Sequence, residues 1–323
     1  MKYKSRNDAK SSVFSKIYAA LKNGRHGHLI VIFKNLLKGY IIYNTLKKTF
    51  GRKTCILGTA IYGLGDYYIV GMYLSAFINK NNIKDYVFLC LSSKERSVLE
   101  LFVPDIKTKY LTLDELVCLY RFTNFVSMPE DIIYFHHTMR IYSNYRLNFT
   151  RQDVQGYHGI EMIDLYLYCG MHLPRQTEPM LPLFSGDTEA MKRHFISNRL
   201  VVGKTILLAP FSTGLKNFLL DDSFWEDISD FAISEGFTVC TNCFGDEQPV
   251  RNTVGISLDF SEIVPFLNMA GCFIGIRSGL CDIVSTSLCK KIIVHTYYAQ
   301  YWPAGQSLAY TGLKTMGLCD DAV

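Results

Sequence analysis

The chain has 323 residues, which exceeds what one hydrophobic core usually supports, so we expect two domains. Hydrophobic residues make up 49% and charged residues 20% of the sequence, which excludes a disordered, a collagen-like or a coiled-coil protein. The amino-terminal stretch is polar and lacks the apolar core of a secretory signal. Ten cysteines in a chain without such a signal are typical of a protein whose thiols stay reduced. We therefore expect a cytoplasmic protein.

The net charge of +5 is unevenly distributed along the chain. Residues 1–53 carry thirteen Lys or Arg and one acid, a balance of +12, whereas the other 270 residues carry 21 basic and 28 acidic side chains, a balance of −7. A strongly basic segment on an otherwise acidic protein is attracted to phosphate groups, either of lipid headgroups or of nucleic acid.

Apolar residues in this basic segment recur at helical intervals, over 13–21 and again over 29–46. Lysines interrupt the second stretch, and its longest uncharged run, 39–46, has eight residues. A membrane span needs about 20 apolar residues. The pattern therefore predicts a basic amphipathic helical extension over 1–53 rather than a spanning helix.

Basic helices with bulky apolar faces lie in the interface of anionic membranes, which would place the protein at the inner face of the cell membrane. The alternative is an ordinary packed helical pair whose lysines face water. Nucleic acid is the least supported partner, because the sequence has no RNA-binding or zinc-finger signature.

From residue 54 onward, short apolar runs alternate with segments of helical period. We predict strands at 54–59, 86–91, 132–136, 205–209, 237–241, 272–276 and 291–295, and helices at 66–79, 113–120, 222–235 and 260–270. This alternation indicates parallel sheets, and the two sets, joined by a linker near 174–185, indicate two domains at 54–190 and 191–323. Ligands of open parallel sheets bind at the carboxyl ends of the strands, so the turns after strands are the candidate sites.

The first such turn is Gly63-Leu64-Gly65-Asp66. Paired glycines allow a close approach of backbone to a ligand, and Asp66 begins the predicted helix. Tyr68 stands where a dinucleotide fingerprint needs its third glycine, and no Lys-Ser/Thr follows as in a phosphate-binding Walker motif. The alternative is that Asp66 only caps the helix.

The second turn contains Ser212, Thr213, Gly214 and Lys216 after a predicted buried strand. Two hydroxyls, a backbone N–H and a point positive charge are suited to phosphate oxygens. A solvated loop with one lysine is the alternative.

The third turn runs through Arg277, Ser278 and Gly279 into a helix that includes Asp282. The guanidinium and the free N–H groups of a helix start are suited to a diphosphate. The alternative is a structural ion pair between Arg277 and Asp282.

Together, the three turns resemble the bacterial lipopolysaccharide heptosyltransferases of glycosyltransferase family 9, which have the two-domain GT-B fold. The family has a G-x-G-D turn whose Asp is the proposed catalytic base, and Asp66 matches that residue. The family turn that contacts the donor phosphate matches at Ser212, Thr213 and Lys216. The turn that ends in Glu247 resembles the segment whose acid approaches the donor nucleoside, which implies a donor-binding role for Glu247.

The third family motif reads Asp-Ser/Thr-Gly-x-x-His, and Arg277, Ser278, Gly279 and Asp282 lie in its place. Ser278 and Gly279 match, while Arg277 replaces the Asp and Asp282 replaces the His. An Arg here looks more like the fucosyltransferase branches of GT-B, where it neutralises the nucleotide diphosphate. The resemblance covers roughly residues 54–80 and 205–296, and it implies the fold and the reaction type but not the sugar.

The resemblance implies a chemistry that these residue types can perform. Asp66 would deprotonate an acceptor hydroxyl, while Lys216 and Arg277 would stabilise the negative charge that grows on the leaving nucleoside diphosphate. Two fixed cations could replace a divalent metal, so we expect no metal and no cofactor beyond the nucleotide-diphosphate sugar as co-substrate. Inversion of the anomeric configuration is implied by the resemblance alone.

For the acceptor we single out Gly65, His136, His137, Arg146 and His158, which come from the first turn and from the irregular region after the third predicted strand. A satisfied structural pair is the alternative for the two adjacent histidines. Cys240 and Cys243 have the spacing of a redox or metal motif, but a zinc site normally needs four ligands, which favours buried thiols.

Two hypotheses follow from these observations. The first is a hexosyl-, heptosyl- or deoxyhexosyltransferase that acts on a cell-surface polysaccharide or a lipid-linked glycan in bacteria. The second is a non-catalytic nucleotide- or sugar-binding subunit that keeps the GT-B fold, with donor turnover abolished by the altered third motif.

Overall fold

The computed structural model describes residues 22, 26–59, 63–126, 131–135, 162–164, 166–167, 171–212, 220–296, 311–320 and 322, and the statements below concern those residues. The first unit contains, in chain order, α1 (His26–Phe50), β1 (Cys55–Thr59), α2 (Leu64–Lys80), β2 (Tyr86–Cys90), α3 (Ser93–Glu100), β3 (Thr108–Tyr110), α4 (Leu113–Phe125) and β4 (Ile132–Phe135). Its four strands are parallel, in the order β3-β2-β1-β4.

A short helical turn, Met162–Asp164, precedes the second unit. That unit contains α5 (Thr188–Ser197), β5 (Thr205–Ala209), α6 (Asp222–Ser234), β6 (Thr238–Asn242), β7 (Val254–Ile256), α7 (Phe260–Ala270), β8 (Gly271–Ile276), α8 (Gly279–Val284) and β9 (Lys290–Val294). Its five strands are also parallel, in the order β7-β6-β5-β8-β9. The prediction of two parallel-sheet α/β units is confirmed.

The elements that the sequence pattern did not reveal are the strands β3 and β7 and the helices α3 and α5. Strands β3 and β7 have three residues each and lie at sheet edges, where partial exposure removes the apolar run that marks a buried strand. Helix α3 has eight residues and a polar sequence, and its signal is the capping box in which Ser92 and Glu95 exchange hydrogen bonds.

Both faces of the first sheet are covered by helices. Successive side chains of a strand point to opposite faces, so neighbouring residues of β1 belong to different clusters. Ile56 of β1 belongs to a cluster that includes Leu46 of α1 and Leu119 of α4, while Leu57 belongs to the cluster that contains α2. Helices α1 and α4 therefore cover the face opposite α2.

Helix α1 lies along α4 and is fixed to the first unit by specific contacts. The backbones approach closely at Gly39, where a Cβ atom would lie 2.6 Å from Cβ of Phe122. Lys38 Nζ lies 2.5 Å from Asp114 Oδ2, Lys47 Nζ lies 2.6 Å from Asp131 Oδ2, and the Tyr43 hydroxyl donates to Asp131 at 2.9 Å. Residues 26–50 of the predicted extension are thus part of the covering layer of the first sheet.

By length and composition alone, Leu29–Phe50 is one helix that could cross a membrane, although buried helices of soluble proteins and signal sequences meet the same test. Its ion pairs with α4 and with Asp131 hold it against the sheet. The predicted helix over 13–21 lies outside the described residues.

The two units share one continuous cluster of buried side chains, which runs from Tyr67 and Tyr68 of α2 to Leu280 and Val284 of α8. Burial raises the pKa of the Tyr68 hydroxyl, and the side chain of Ser285, in the second unit, acts on that pKa in the opposite direction. The residue that replaces the third glycine of a dinucleotide fingerprint is therefore a buried contact between the units.

Candidate active site

The amino-terminal ends of α2 and α8 meet where the two units join. A Cβ atom at Gly279 would lie 2.9 Å from the carbonyl carbon of Leu64 and even closer to the backbone N of Gly65. A Cβ atom at Gly65 would overlap the carboxylate of Asp282. Both matched glycines thus permit close contact between the units, and the start of α8 faces α2.

We expect Gly279→Ala to lower the free energy of unfolding by about 1–3 kcal/mol, because the added methyl group would force the two helix starts apart. Thermal and denaturant unfolding measure this loss. Gly186→Ala is the matched control, since a Cβ atom at Gly186 would have no heavy atom within 4 Å. Equal stability of the two variants would contradict the contact.

Asp66 is the third residue of α2 and is only 7% exposed. Gly63 precedes the helix, and the Asp66 carboxylate folds back over it. A Cβ atom at Gly63 would overlap Asp66 Oδ2, so the absence of a side chain leaves room for the carboxylate. The Tyr166 hydroxyl donates a hydrogen bond to Asp66 Oδ1. Asp66 is therefore held by a specific partner at the junction of the units, where its charge also acts on Arg277 and Asp282.

Arg277 follows β8 and forms a buried ion pair with Asp282. Its Nη2 lies 2.7 Å from Asp282 Oδ1, and the two side chains are 11% and 3% exposed. The same guanidinium donates through Nε to the carbonyl oxygen of Thr311 at 2.6 Å and through Nη1 to that of Ser278. The structural pair that the sequence left as an alternative is present, so a donor phosphate would have to compete with Asp282 for the guanidinium.

The pKa values of this cluster are displaced by burial. Desolvation raises the pKa of Asp282 to about 6, although Arg277 acts in the opposite direction, and the negative charge of Asp66 adds to the rise. Partial burial and the positive charge of Arg277 lower the pKa of His295, which follows β9, to about 4. With these pKa values, the Asp282 carboxylate is mainly ionised beside the Arg277 guanidinium at neutral pH, and the His295 imidazole is neutral.

Two other predicted donor residues lie beyond carboxyl ends of the second sheet. Ser212 is three residues past β5 and half-buried. Glu247 follows β6, and its Oε2 accepts a hydrogen bond from the backbone N–H of Phe244 at 2.8 Å. The carboxylate thus stabilises its own turn, and a role in donor binding stays a prediction.

Several predicted site residues lie outside the described part of the chain. These are Thr213 and Lys216 of the second turn and the acceptor candidates His136, His137, Arg146 and His158. Their roles stay predictions, as do those of Ser278, Gly279 and Asp282 in donor binding.

Sequence reasoning missed two residues of this site. His295 could have been found, because it ends a predicted strand at the carboxyl edge of the sheet, where ligands bind. Tyr166 could not, because nothing in an irregular aromatic region identifies the hydroxyl that reaches a carboxylate one hundred residues away in the chain.

The cysteines at the spacing of a redox motif are separate thiols. Cys240 is buried in β6, where desolvation raises its pKa, and the pKa of the half-buried Cys243 is raised for the same reason. Among the described residues no group of three or more His, Cys, Asp or Glu side chains could hold a metal ion. Metal independence stays a prediction.

Two solved structures share this architecture. A glycosyl transferase family 9 protein from Veillonella parvula DSM 2008 has a TM-score of 0.51 and 10% sequence identity, over 77% of this chain and 83% of that chain. The ADP-heptose LPS heptosyltransferase II of E. coli has a TM-score of 0.52 and 13% identity, over 84% of this chain and 89% of that chain. The chain matches no protein-family profile and no curated protein sequence.

At these identities the likeness establishes the fold. The chain has the GT-B fold, with two parallel-sheet α/β domains as in the two solved structures. The predicted fold class and the resemblance to glycosyltransferase family 9 are confirmed.

Proposed function

We propose that the protein is a nucleotide-sugar glycosyltransferase that moves a sugar from a nucleoside-diphosphate donor to a hydroxyl of a cell-surface polysaccharide or a lipid-linked glycan. The single observation that carries the proposal is the convergence of Asp66, from the first unit, with Arg277 and Asp282, from the second. A carboxylate and a guanidinium on opposite units of a GT-B fold can act as the general base and as the cation that stabilises the leaving phosphate.

In this proposal Asp66 is the general base. Proton removal from the acceptor hydroxyl by a positioned carboxylate accelerates such reactions by about 10²–10⁴-fold. The Tyr166 hydroxyl donates to Oδ1 and so holds the carboxylate in a fixed orientation at the junction of the units. Attack on the anomeric carbon from the side opposite the leaving diphosphate would invert its configuration.

Arg277 would act on the leaving group. Positive charge placed where a phosphate gains negative charge stabilises the transition state, and burial strengthens that effect. With Lys216 as a second cation, the site would not require a divalent metal. Because Asp282 pairs with the guanidinium, donor binding would include a rearrangement of this ion pair.

The same ion pair favours a second candidate function. The Arg277 guanidinium already donates to Asp282, Ser278 and Thr311, so it can serve purely to join the carboxyl-terminal residues to the second domain. In that case the protein would be a non-catalytic subunit of a polysaccharide assembly complex that binds a nucleotide or a sugar.

A panel of nucleotide sugars tests the proposal and separates the two candidates. We expect one class of donor to raise the melting temperature, because a ligand that binds the native state stabilises it, and to release its nucleoside diphosphate slowly by hydrolysis. Binding without release, also in the presence of glycan acceptors, would favour the non-catalytic subunit. A panel with neither effect would contradict both candidates.

A further inference from the structure

Helix α1 carries an apolar stripe on its outer side. Six large apolar side chains of this helix are between 52% and 60% exposed, namely Ile30, Val31, Phe33, Leu37, Tyr40 and Ile41, of which Tyr40 also packs against the Phe122 ring of α4. Ile30, Phe33, Leu37 and Ile41 recur at helical intervals, whereas the buried residues Leu36 and Leu46 belong to the side that faces α4 and the sheet. Contiguous exposed apolar surface of this kind marks an interaction site.

The charge of the same helix limits which partner can bind to the apolar stripe. Helix α1 contains four lysines and no acidic residue. Lys34 and Lys48 are exposed and continue the outer stripe at helical spacing, whereas Lys38 and Lys47 are paired with acids of the first unit. The outer surface of α1 thus combines exposed apolar side chains with exposed positive charge.

We propose that this outer stripe of α1 lies in the interface of an anionic phospholipid membrane, with its axis parallel to the membrane plane. Apolar side chains would enter the acyl boundary while the lysines reach the lipid phosphates. The balance of +12 over residues 1–53 extends the same electrostatic attraction, and the acidic remainder of the chain would be turned towards the cytoplasm.

A second copy of the chain fits the stripe less well. A two-fold symmetric dimer places the same surface patch of both copies in contact. Because α1 has lysines and no acids, such a dimer would bring like charges together beside the apolar contact. An anionic lipid surface supplies the complementary charge, so it is the occupant to which this proposal commits.

The packing of α1 decides how the proposal is tested. Deletion of residues 1–50 would remove the buried Leu46 and uncover the sheet face that it covers, so a loss of binding would report unfolding as well as lost contact. Substitutions of Phe33, Leu37 and Ile41 affect only side chains that are more than half exposed.

The test is flotation of the full chain with vesicles of phosphatidylcholine, with or without phosphatidylglycerol. We expect binding to the anionic vesicles, weakened by added salt, and a decrease of about tenfold or more in the triple variant Phe33→Ser/Leu37→Ser/Ile41→Ser. The matched control is Ile196→Ser/Phe231→Ser/Leu288→Ser, which removes three exposed apolar side chains elsewhere and should bind as the wild type does. Both variants should keep the melting temperature within a few degrees.

Three results would overturn the proposal. The first is a wild-type chain that does not float with anionic vesicles. The second is equal flotation of the wild type and the α1 triple variant, which would assign binding to another surface. The third is a dimer in light scattering that the same triple variant converts to a monomer, without vesicle binding, which would identify a second copy as the occupant. None of these results depends on glycosyl transfer.

Discussion

Asp66→Asn should reduce sugar transfer by about 10²–10⁴-fold, because an amide cannot accept the proton of the acceptor hydroxyl. Affinity for the nucleotide donor should stay nearly unchanged, since the proposed donor contacts come from the second domain. The fold should persist, because the amide oxygen can still accept the hydrogen bond of Tyr166 in place of Asp66 Oδ1. The rate of nucleoside-diphosphate release with a saturating acceptor measures the effect.

Asp105→Asn is the matched control for this substitution. Asp105 is exposed and lies in a turn with a positive φ of 60°, a conformation that Asn also adopts readily. The control should retain wild-type activity and stability. Unchanged transfer in Asp66→Asn, with a folded protein, would remove Asp66 from the role of general base.

The second large effect concerns the buried ion pair. Arg277→Met and Asp282→Asn should each lower the free energy of unfolding by about 3–5 kcal/mol, because each leaves a buried charged partner without its counter-ion. The double variant should lose less than the sum of the two, since neither unpaired charge remains. Denaturant unfolding of the four proteins gives the coupling free energy directly.

The surface pair Arg96–Glu100 provides the comparison. Both side chains are more than 30% exposed, so Arg96→Met should cost no more than about 1 kcal/mol. If Arg277→Met were equally mild, the guanidinium would not be a structural link between β8 and the carboxyl-terminal residues. In the double variant the donor should bind more weakly even where stability is recovered, because the phosphate loses its cation.

Local patterns were enough to predict the architecture, because it depends on buried strands and amphipathic helices. The apolar runs at 54–59 and 205–209 mark strands β1 and β5, and the helical period over 222–235 marks α6. Within each sheet, parallel strands bring the turns after them to one edge, so Asp66 and Arg277 could each be expected at the carboxyl edge of its own sheet.

The sequence could not show which residues at the junction of the units pair with each other. The Arg277–Asp282 pair and a diphosphate site need the same residue types, and only burial of both side chains shows that the pair is made. The contact of Gly65 with Gly279 likewise depends on how two domains dock, which neither turn reveals by itself. For α1, the apolar period and the charge pattern predicted a basic helix. The side of the helix that packs against the first unit could be identified only from the tertiary contacts.

Calorimetric titration of the full chain with nucleoside diphosphates tests the central claim most directly, namely that Arg277 binds the diphosphate of the donor while Asp66 acts on the acceptor alone. We predict saturable binding of at least one nucleoside diphosphate, unchanged in Asp66→Asn and strongly weakened in Arg277→Met/Asp282→Asn. Absence of saturable binding at millimolar concentrations for every base, or equal binding by the double variant, would contradict the account.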